Sequence, residues 1–247
     1  MALGVEAAGT IVAVGPGVAQ FRVGDDVVTH PLPLLASVDA VARKPTGASW
    51  ALAGSFPVPA LTAEQVLAEA LEVGEDDTLL VHGAGGLTGG LLVELATLRG
   101  VEVIATAGPS SFDRVHRLGA RHVFDRHDVS WPERARDTTG GRGVTAAANA
   151  APGGAGTAVR EVADGGRLAT ITSDPPVEER GVSIANVYVR PDAAQLAALA
   201  TLLGNGHLSP WAVTTFALEE VGAGLANVVA GAVRGAAAVE PHTRGAG

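Results

Sequence analysis

The 247-residue chain contains no cysteine, which excludes disulfides, thiol nucleophiles and every thiolate zinc site. It has a single lysine, Lys44, and a single tyrosine, Tyr188, and aromatic residues make up only 4% of it. Charged residues are also sparse, at 17%, and their balance is acidic, with a net charge of −9, which argues against a nucleic-acid surface. No apolar run reaches the length of a membrane span, and no basic segment followed by an apolar one opens the chain. A cytoplasmic protein with no membrane and no nucleic-acid partner is therefore expected. What is abundant is apolar residue, 47%, and glycine, 33 in all. The chain is globular and long enough to bury a sizeable core.

The richest segment is Thr78-Leu-Leu-Val-His-Gly-Ala-Gly-Gly-Leu-Thr-Gly-Gly-Leu-Leu-Val-Glu-Leu-Ala96. An apolar run ends in glycines, and a helix-like pattern follows at once. Gly83, Gly86 and Gly89 stand three apart, while the strict G-x-G-x-x-G register fails because Thr88 occupies its third glycine position. A strand, a tight turn and a helix start bring free backbone N–H groups to a pyrophosphate, and glycine lets the backbone approach it. A plain glycine-rich turn would look the same in isolation. The second strand at 101–106 completes a βαβ unit and favours a dinucleotide site.

Strands are predicted at 78–82, 101–106, 121–125, 144–149, 166–172 and 182–189, and helices at 87–99, 110–118, 154–163 and 192–204. This alternation predicts an α/β fold, a doubly wound parallel sheet of the Rossmann type. Residues 1–60 differ, with short strands at 5–14 and 23–29 joined by Gly-Pro-Gly and Gly-Asp turns and no helical pattern before Ser49. Near the end, a helix is predicted from Phe216 to about Ala230 and a strand at 236–240. The expected division is a dinucleotide-binding domain over 61–211, a smaller β-rich lobe built from 1–60 and 212–241, and a disordered tail at 242–247.

Several segments together resemble the medium-chain dehydrogenase/reductase superfamily. They are Gly4-Val-Glu-Ala-Ala-Gly-Thr-Ile-Val-Ala-Val-Gly-Pro-Gly-Val18, Phe21-Arg-Val-Gly-Asp-Asp-Val27, the turn at 81–90, Thr139-Gly-Gly-Arg-Gly-Val144, Gly165-Gly-Arg-Leu168 and Val189-Arg-Pro-Asp192. Within the superfamily the chain is most similar to the zinc-free quinone oxidoreductases and related enoyl reductases. The resemblance implies a Rossmann domain beside a GroES-like lobe, here reduced because the chain starts almost on the Gly-x-Glu-x-x-Gly segment. Val5 stands where zinc-dependent members carry a ligand histidine, and no cysteine ligand exists, so no metal is expected. Leu87 stands where the branch usually has glycine.

NAD-specific folds place an acid at the end of the second strand. Here that strand ends Ile104-Ala-Thr-Ala-Gly108 without one, and Ser110, Ser111 and Arg114 follow. Hydroxyls and a guanidinium suit a 2′-phosphate, so NADPH is expected in preference to NADH. The competing reading makes Ser110 a helix cap and Arg114 a solvated side chain. The expected cofactor contacts are Gly83, Gly85, Gly86, Leu87, Thr88, Thr106, Ser110, Ser111 and Arg114. By resemblance they extend to Thr62, Asn149, Ile171, Thr172, Val187 and Val189; Thr62 reads equally as an N-cap. No catalytic residue is identified. The expected partners are a small hydrophobic, carbonyl-conjugated substrate and a second copy paired along the apolar edge strand at 182–189. The histidines fit no metal motif, and no Gly-x-Ser-x-Gly elbow is present. Tyr188 lacks the following lysine of the short-chain dehydrogenases. The expected activity is metal-independent, NADPH-dependent reduction of a quinone or activated alkene. The alternatives are a nucleotide-binding subunit or sensor without turnover, and a non-redox biosynthetic enzyme on the same scaffold.

Overall fold

The computed structural model describes residues 4–30 and 35–241; the tail expected at 242–247 lies outside them. By contact, the chain divides into one unit of residues 1–61 with 190–247 and another of residues 62–189.

The second unit is built on six strands: β4 (Thr78–His82), β5 (Glu102–Ala107), β6 (His122–Asp125), β7 (Val144–Asn149), β8 (Val162–Thr170) and β9 (Ser183–Asn186). They form one sheet in the order β6-β5-β4-β7-β8-β9, every pair parallel. The order reverses at β4, so the crevice outside the carboxyl ends of β4 and β7 is the topological switch point where such sheets bind ligands. Helices α3 (Leu87–Leu98), α4 (Phe112–Arg117), α5 (Trp131–Thr138) and α6 (Ala155–Ala158) connect the strands. Leu79, Leu80 and Val81 are fully buried in succession, as a strand covered on both faces requires. Leu80, Ile104, Phe124, Trp131, Val144, Ala147 and Leu168 share one core cluster.

The first unit holds the antiparallel sheet β1 (Ala7–Thr10), β2 (Asp26–Thr29) and β3 (Val41–Arg43), and a parallel pair, β10 (Val213–Ala217) with β11 (Ala236–Glu240). Its helices are α1 (Trp50–Gly54), α7 (Ala193–Gly204) and α8 (Val221–Val229); helix α2 (Pro57–Gln65) also begins there. Helix α7, expected at 192–204, packs on β3 and is grouped with this unit, whereas the expected dinucleotide domain ran to 211. Asp192 caps it by accepting from the Gln195 N–H at 2.9 Å.

Several predicted elements differ. The strand expected at 5–14 is regular only over β1; beyond it Ile11 N–H donates to Asp25 O, and Gly24 N–H donates back to Ile11 O. The helix expected at 154–163 stops at Ala158, continues as a 3-10 turn over Val159–Glu161, and gives way to β8 at Val162 rather than 166. The register slips there from Val144↔Val162 to Ala146↔Arg167, a bulge accommodated by Gly165 at φ +74°. The residues 216 and 217, expected in a helix, end β10; the helix starts at Val221. Helix α5 was not predicted at all. Among the described residues no helix is long and apolar enough to cross a membrane.

Candidate cofactor and active site

The glycine turn joins β4 to α3. Gly83 adopts φ +94°, and a Cβ there would lie 2.8 Å from Ala151 N. The turn is tied to β5: Ala84 N–H donates to Thr106 O at 2.9 Å, and Gly83 N–H donates to the Thr106 hydroxyl at 3.2 Å. That hydroxyl also meets His82 Nδ1 at 2.7 Å, and the His82 ring stacks on Trp131 at 5.2 Å. Burial, with the Arg126 charge behind it, keeps the His82 imidazole below its ordinary pKa. His82 is thus a buried, neutral prop under the turn.

Gly86 is the N-cap of α3 with no side-chain cap, and Leu87 and Thr88 open the helix. Their N–H groups, with that of Gly89, precede the first i→i−4 bond, Gly90 N–H to Gly86 O. Open donors at a helix N-terminus suit an anion. Leu87 sits in the helix, so its replacement of glycine needs no special backbone conformation. Gly86 leaves space on the turn, since a Cβ there would meet only Gly83 O, at 3.6 Å, whereas one at Gly85 would touch Ser111 and Ala107. Gly89 serves packing instead: a Cβ there would fall 2.2 Å from Gly83 O.

Arg114 does not stand free at the end of β5. Its Nη2 donates to Gly85 O at 2.6 Å, and its Nη1 lies 2.8 Å from where a Gly90 Cβ would be. Burial lowers its pKa, with the Arg117 charge adding to the effect. The side chain is a brace for the turn. Ser111, not Ser110, is the N-cap of α4, and it makes no capping bond; its hydroxyl lies against Gly85. Ser110 is exposed in the 3-10 turn Pro109–Ser111 at the end of β5.

The structure adds Arg126. Its backbone N–H donates to Ala107 O at 3.0 Å, and its Nε lies 3.8 Å from a Cβ position at Gly108. The side chain is exposed, and among the described residues its guanidinium makes no hydrogen bond or ion pair. A cation beside the acid-free end of β5 fits a 2′-phosphate better than the engaged Arg114 does.

On the other side of the switch point, Asn149 is buried and its amide N donates to the hydroxyls of Thr170, at 3.1 Å, and Thr172, at 2.9 Å. Both hydroxyls donate to Asp174, which also accepts from Ala155 N–H at 3.3 Å. Burial would raise the Asp174 pKa, but the bonds from Thr172, Thr170 and Ala155 outweigh it and hold the carboxyl below its usual range. Ile171 N–H donates to Asn149 O, and Val187 N–H to Thr170 O. Asn149, Ile171, Thr172 and Val187 therefore meet at the carboxyl ends of β7, β8 and β9. Val189 lies past β9, in a segment outside the ladder. Thr62 is buried within α2, which starts at Pro57, so it is not an N-cap.

This fold and this turn have counterparts among known proteins. Residues 1–83 match the alcohol dehydrogenase GroES-like domain, and residues 88–196 match the family described as zinc-binding dehydrogenase. The chain belongs to the medium-chain dehydrogenase/reductase superfamily. Among solved structures it is similar to the CurK enoyl reductase, at 25% identity and TM-score 0.84, covering 96% of this chain and 78% of that one. It is also similar to a mycobacterial protein complexed with NADPH, at 26% identity and TM-score 0.80, covering 94% and 80%. Among curated proteins it is 31% identical over 245 residues to a mycoketide-CoA synthase of Mycobacterium tuberculosis, and 34% identical over 158 residues to erythronolide synthase EryA2 of Saccharopolyspora erythraea. These matches cover 90% and 61% of this chain but only 6% and 4% of those proteins. The likenesses support an oxidoreductase.

The zinc of the family description does not fit this chain. It has no cysteine, and among the described residues no group of three or more His, Asp or Glu could hold a metal ion. A dinucleotide does fit, because the turn has the open approach at Gly86 and the unspent helix N-terminus that a pyrophosphate needs.

Proposed function

We propose that this chain is an NADPH-dependent reductase of a carbonyl-conjugated alkene, an enoyl group or a quinone, working without a metal. The observation that carries the reading is the pairing of an open glycine turn with an unengaged arginine at the acid-free end of β5. The likeness to an enoyl reductase and to an NADPH complex supports it.

In this reading the N–H groups opening α3 hold the pyrophosphate, Arg126 with Ser110 holds the 2′-phosphate, and Thr106 with Arg114 keeps the turn in shape. The backbone at Ile171, Thr172 and Val187 borders the nicotinamide. The dinucleotide supplies a hydride when bound. The protein's share is to fix that hydride over the electrophilic carbon, since positioning alone can supply much of a rate, and to stabilise the charge that develops on the carbonyl. The edge strand β9 is the surface by which we propose a second copy to pair, because it would otherwise be left open.

Calorimetric titration with NADPH and NADH tests the cofactor. NADPH should bind more tightly, and Arg126→Ala should weaken it by about 10- to 150-fold, as loss of a charged hydrogen bond worth roughly 1.5–3 kcal/mol predicts. NADH should be little affected by that change, whereas Arg114→Ala should weaken both. Tighter NADH binding would remove the argument. NADPH oxidation is then followed with a panel of quinones, enones and enoyl esters; binding without oxidation of any of them would favour a non-redox nucleotide-binding protein.

A further inference from the structure

The proposed reduction needs a proton as well as a hydride, and the residues that border the nicotinamide in the reading above include no acid. The second unit carries one poised phenol. Tyr188, the only tyrosine of the chain, lies two residues beyond β9, at the ligand-binding end of the sheet, and is 72% exposed. Its hydroxyl sits 3.3 Å from Ser173 Oγ and accepts from Asn186 Nδ2 at 3.2 Å.

Both neighbours show that this arrangement is specified. Ser173 holds φ +59°, the left-handed region that a residue with a Cβ seldom adopts and that recurs where surroundings enforce a functional geometry. Asn186 ends β9, and its Oδ1 is buried without a hydrogen-bond partner among the described residues. Hydrogen bonds from Ser173 first and Asn186 second hold the phenol below its ordinary pKa, and no charged group contributes to that shift. The nearest carboxylate in sequence, Asp174, is occupied by Thr170, Thr172 and the Ala155 N–H.

We propose that Tyr188 is the acid that protonates the reduced substrate, with Ser173 and Asn186 as its positioning residues. The proposal rests on the reductase reading. Hydride addition forms a C–H bond at the alkene carbon remote from the carbonyl, and the alkene's π pair moves to give an enolate. The Tyr188 O–H bond then breaks and its proton passes to the enolate, completing the two-electron reduction paid out by the dinucleotide. The phenolate left behind keeps its two hydrogen bonds, from the Ser173 hydroxyl and the Asn186 amide, and is reprotonated by water, since Tyr188 lies past the β9 edge itself.

Because the chain has one tyrosine, phenolate absorbance in an alkaline titration reports Tyr188 alone, without cofactor or turnover. The wild-type phenol should ionise below the free-phenol value, and Ser173→Ala or Asn186→Leu should move it up. Tyr188→Phe should keep the wild-type circular dichroism and bind NADPH within about twofold. Its kcat should fall by about 100-fold, the low end for loss of a general acid. The alkaline limb of the wild-type kcat profile should vanish in Tyr188→Phe and shift to higher pH in Ser173→Ala. A phenol that ionises normally in the wild type overturns the proposal, as does wild-type turnover that Tyr188→Phe matches. A wild type that reduces no acceptor overturns the reductase reading and this proposal with it, so the two failures are distinguishable.

Discussion

One methyl group, added at either of two glycines three residues apart, should separate cofactor binding from folding. Gly86 has φ −77° and ψ 177°, an extended conformation open to any residue, and a Cβ there meets only Gly83 O at 3.6 Å, an ordinary contact. Gly86→Ala therefore loses only a preferred N-cap, which costs roughly 0.5–1 kcal/mol. The new methyl, however, stands on the open side of the turn where the pyrophosphate would approach. Loss of one charge-assisted hydrogen bond of about 1.5–3 kcal/mol would weaken NADPH by about 10- to 150-fold. Gly89→Ala places the same methyl 2.2 Å from Gly83 O and 2.9 Å from Ala84 Cα, both backbone, so α3 must move off the turn. Overpacking of this kind costs about 1–3 kcal/mol, or a Tm lower by roughly 2–12 °C in a protein of this size. Thermal unfolding and calorimetric titration of both variants decide the matter. Gly86→Ala should keep its Tm within about 4 °C and lose binding; Gly89→Ala should lose Tm first. A Gly86→Ala protein with wild-type NADPH affinity would show that the turn is not where the pyrophosphate lies.

Burial pushes the Glu6 carboxyl up to about 7, against the bond it accepts from Val58 N–H at 2.7 Å. A pKa raised above its unfolded value gives stability that is complete below about 4.5 and is lost as pH rises to about 7. Tm should therefore fall across that window, and Glu6→Gln, which keeps the acceptor for Val58, should flatten the fall; an unchanged slope would refute the assignment. Elemental analysis of protein purified without chelator should find no stoichiometric zinc, and finding it would overturn the argument from the donor set. Light scattering at micromolar concentration should give a dimer, and a monomer would sink the pairing proposed for β9.

The central strands β4, β5 and β7 were legible because each is a short, mostly apolar run, and a buried parallel strand needs little else. Helix α5 was hidden by its own composition: Trp131-Pro-Glu-Arg-Ala-Arg-Asp-Thr138 puts a proline and four charges in eight residues. A proline at the second helical position breaks no hydrogen bond, and the apolar pair Trp131 and Ala135, one turn apart and both buried, was the signal available. Strand β10 was missed for the opposite reason. Its Val-Thr-Thr-Phe run is β-branched and aromatic, but Phe216 was assigned to the helix that follows.

The candidate site divides along the same line, between what is local in sequence and what register creates. The glycine turn is local, and its residues are legible from spacing. The cation at the end of β5 is not. Arg114 is the nearest arginine along the chain after Gly108, and it turns back to brace Gly85 O. Arg126 is eighteen residues from Gly108, but the parallel register pairs Ala107 with Asp125, which places the next residue, Arg126, beside Gly108. Only the pairing of β5 with β6 brings them together, and a chain read one residue at a time offers no means of choosing between the two arginines. The same holds for Tyr188: Ser173 and Asn186 are fifteen and two residues away from it, and they become neighbours because Thr170 and Asn186 end adjacent strands in register. If Arg126→Ala leaves NADPH and NADH unchanged while Arg114→Ala abolishes their difference, the register argument fails and proximity in sequence was the better guide.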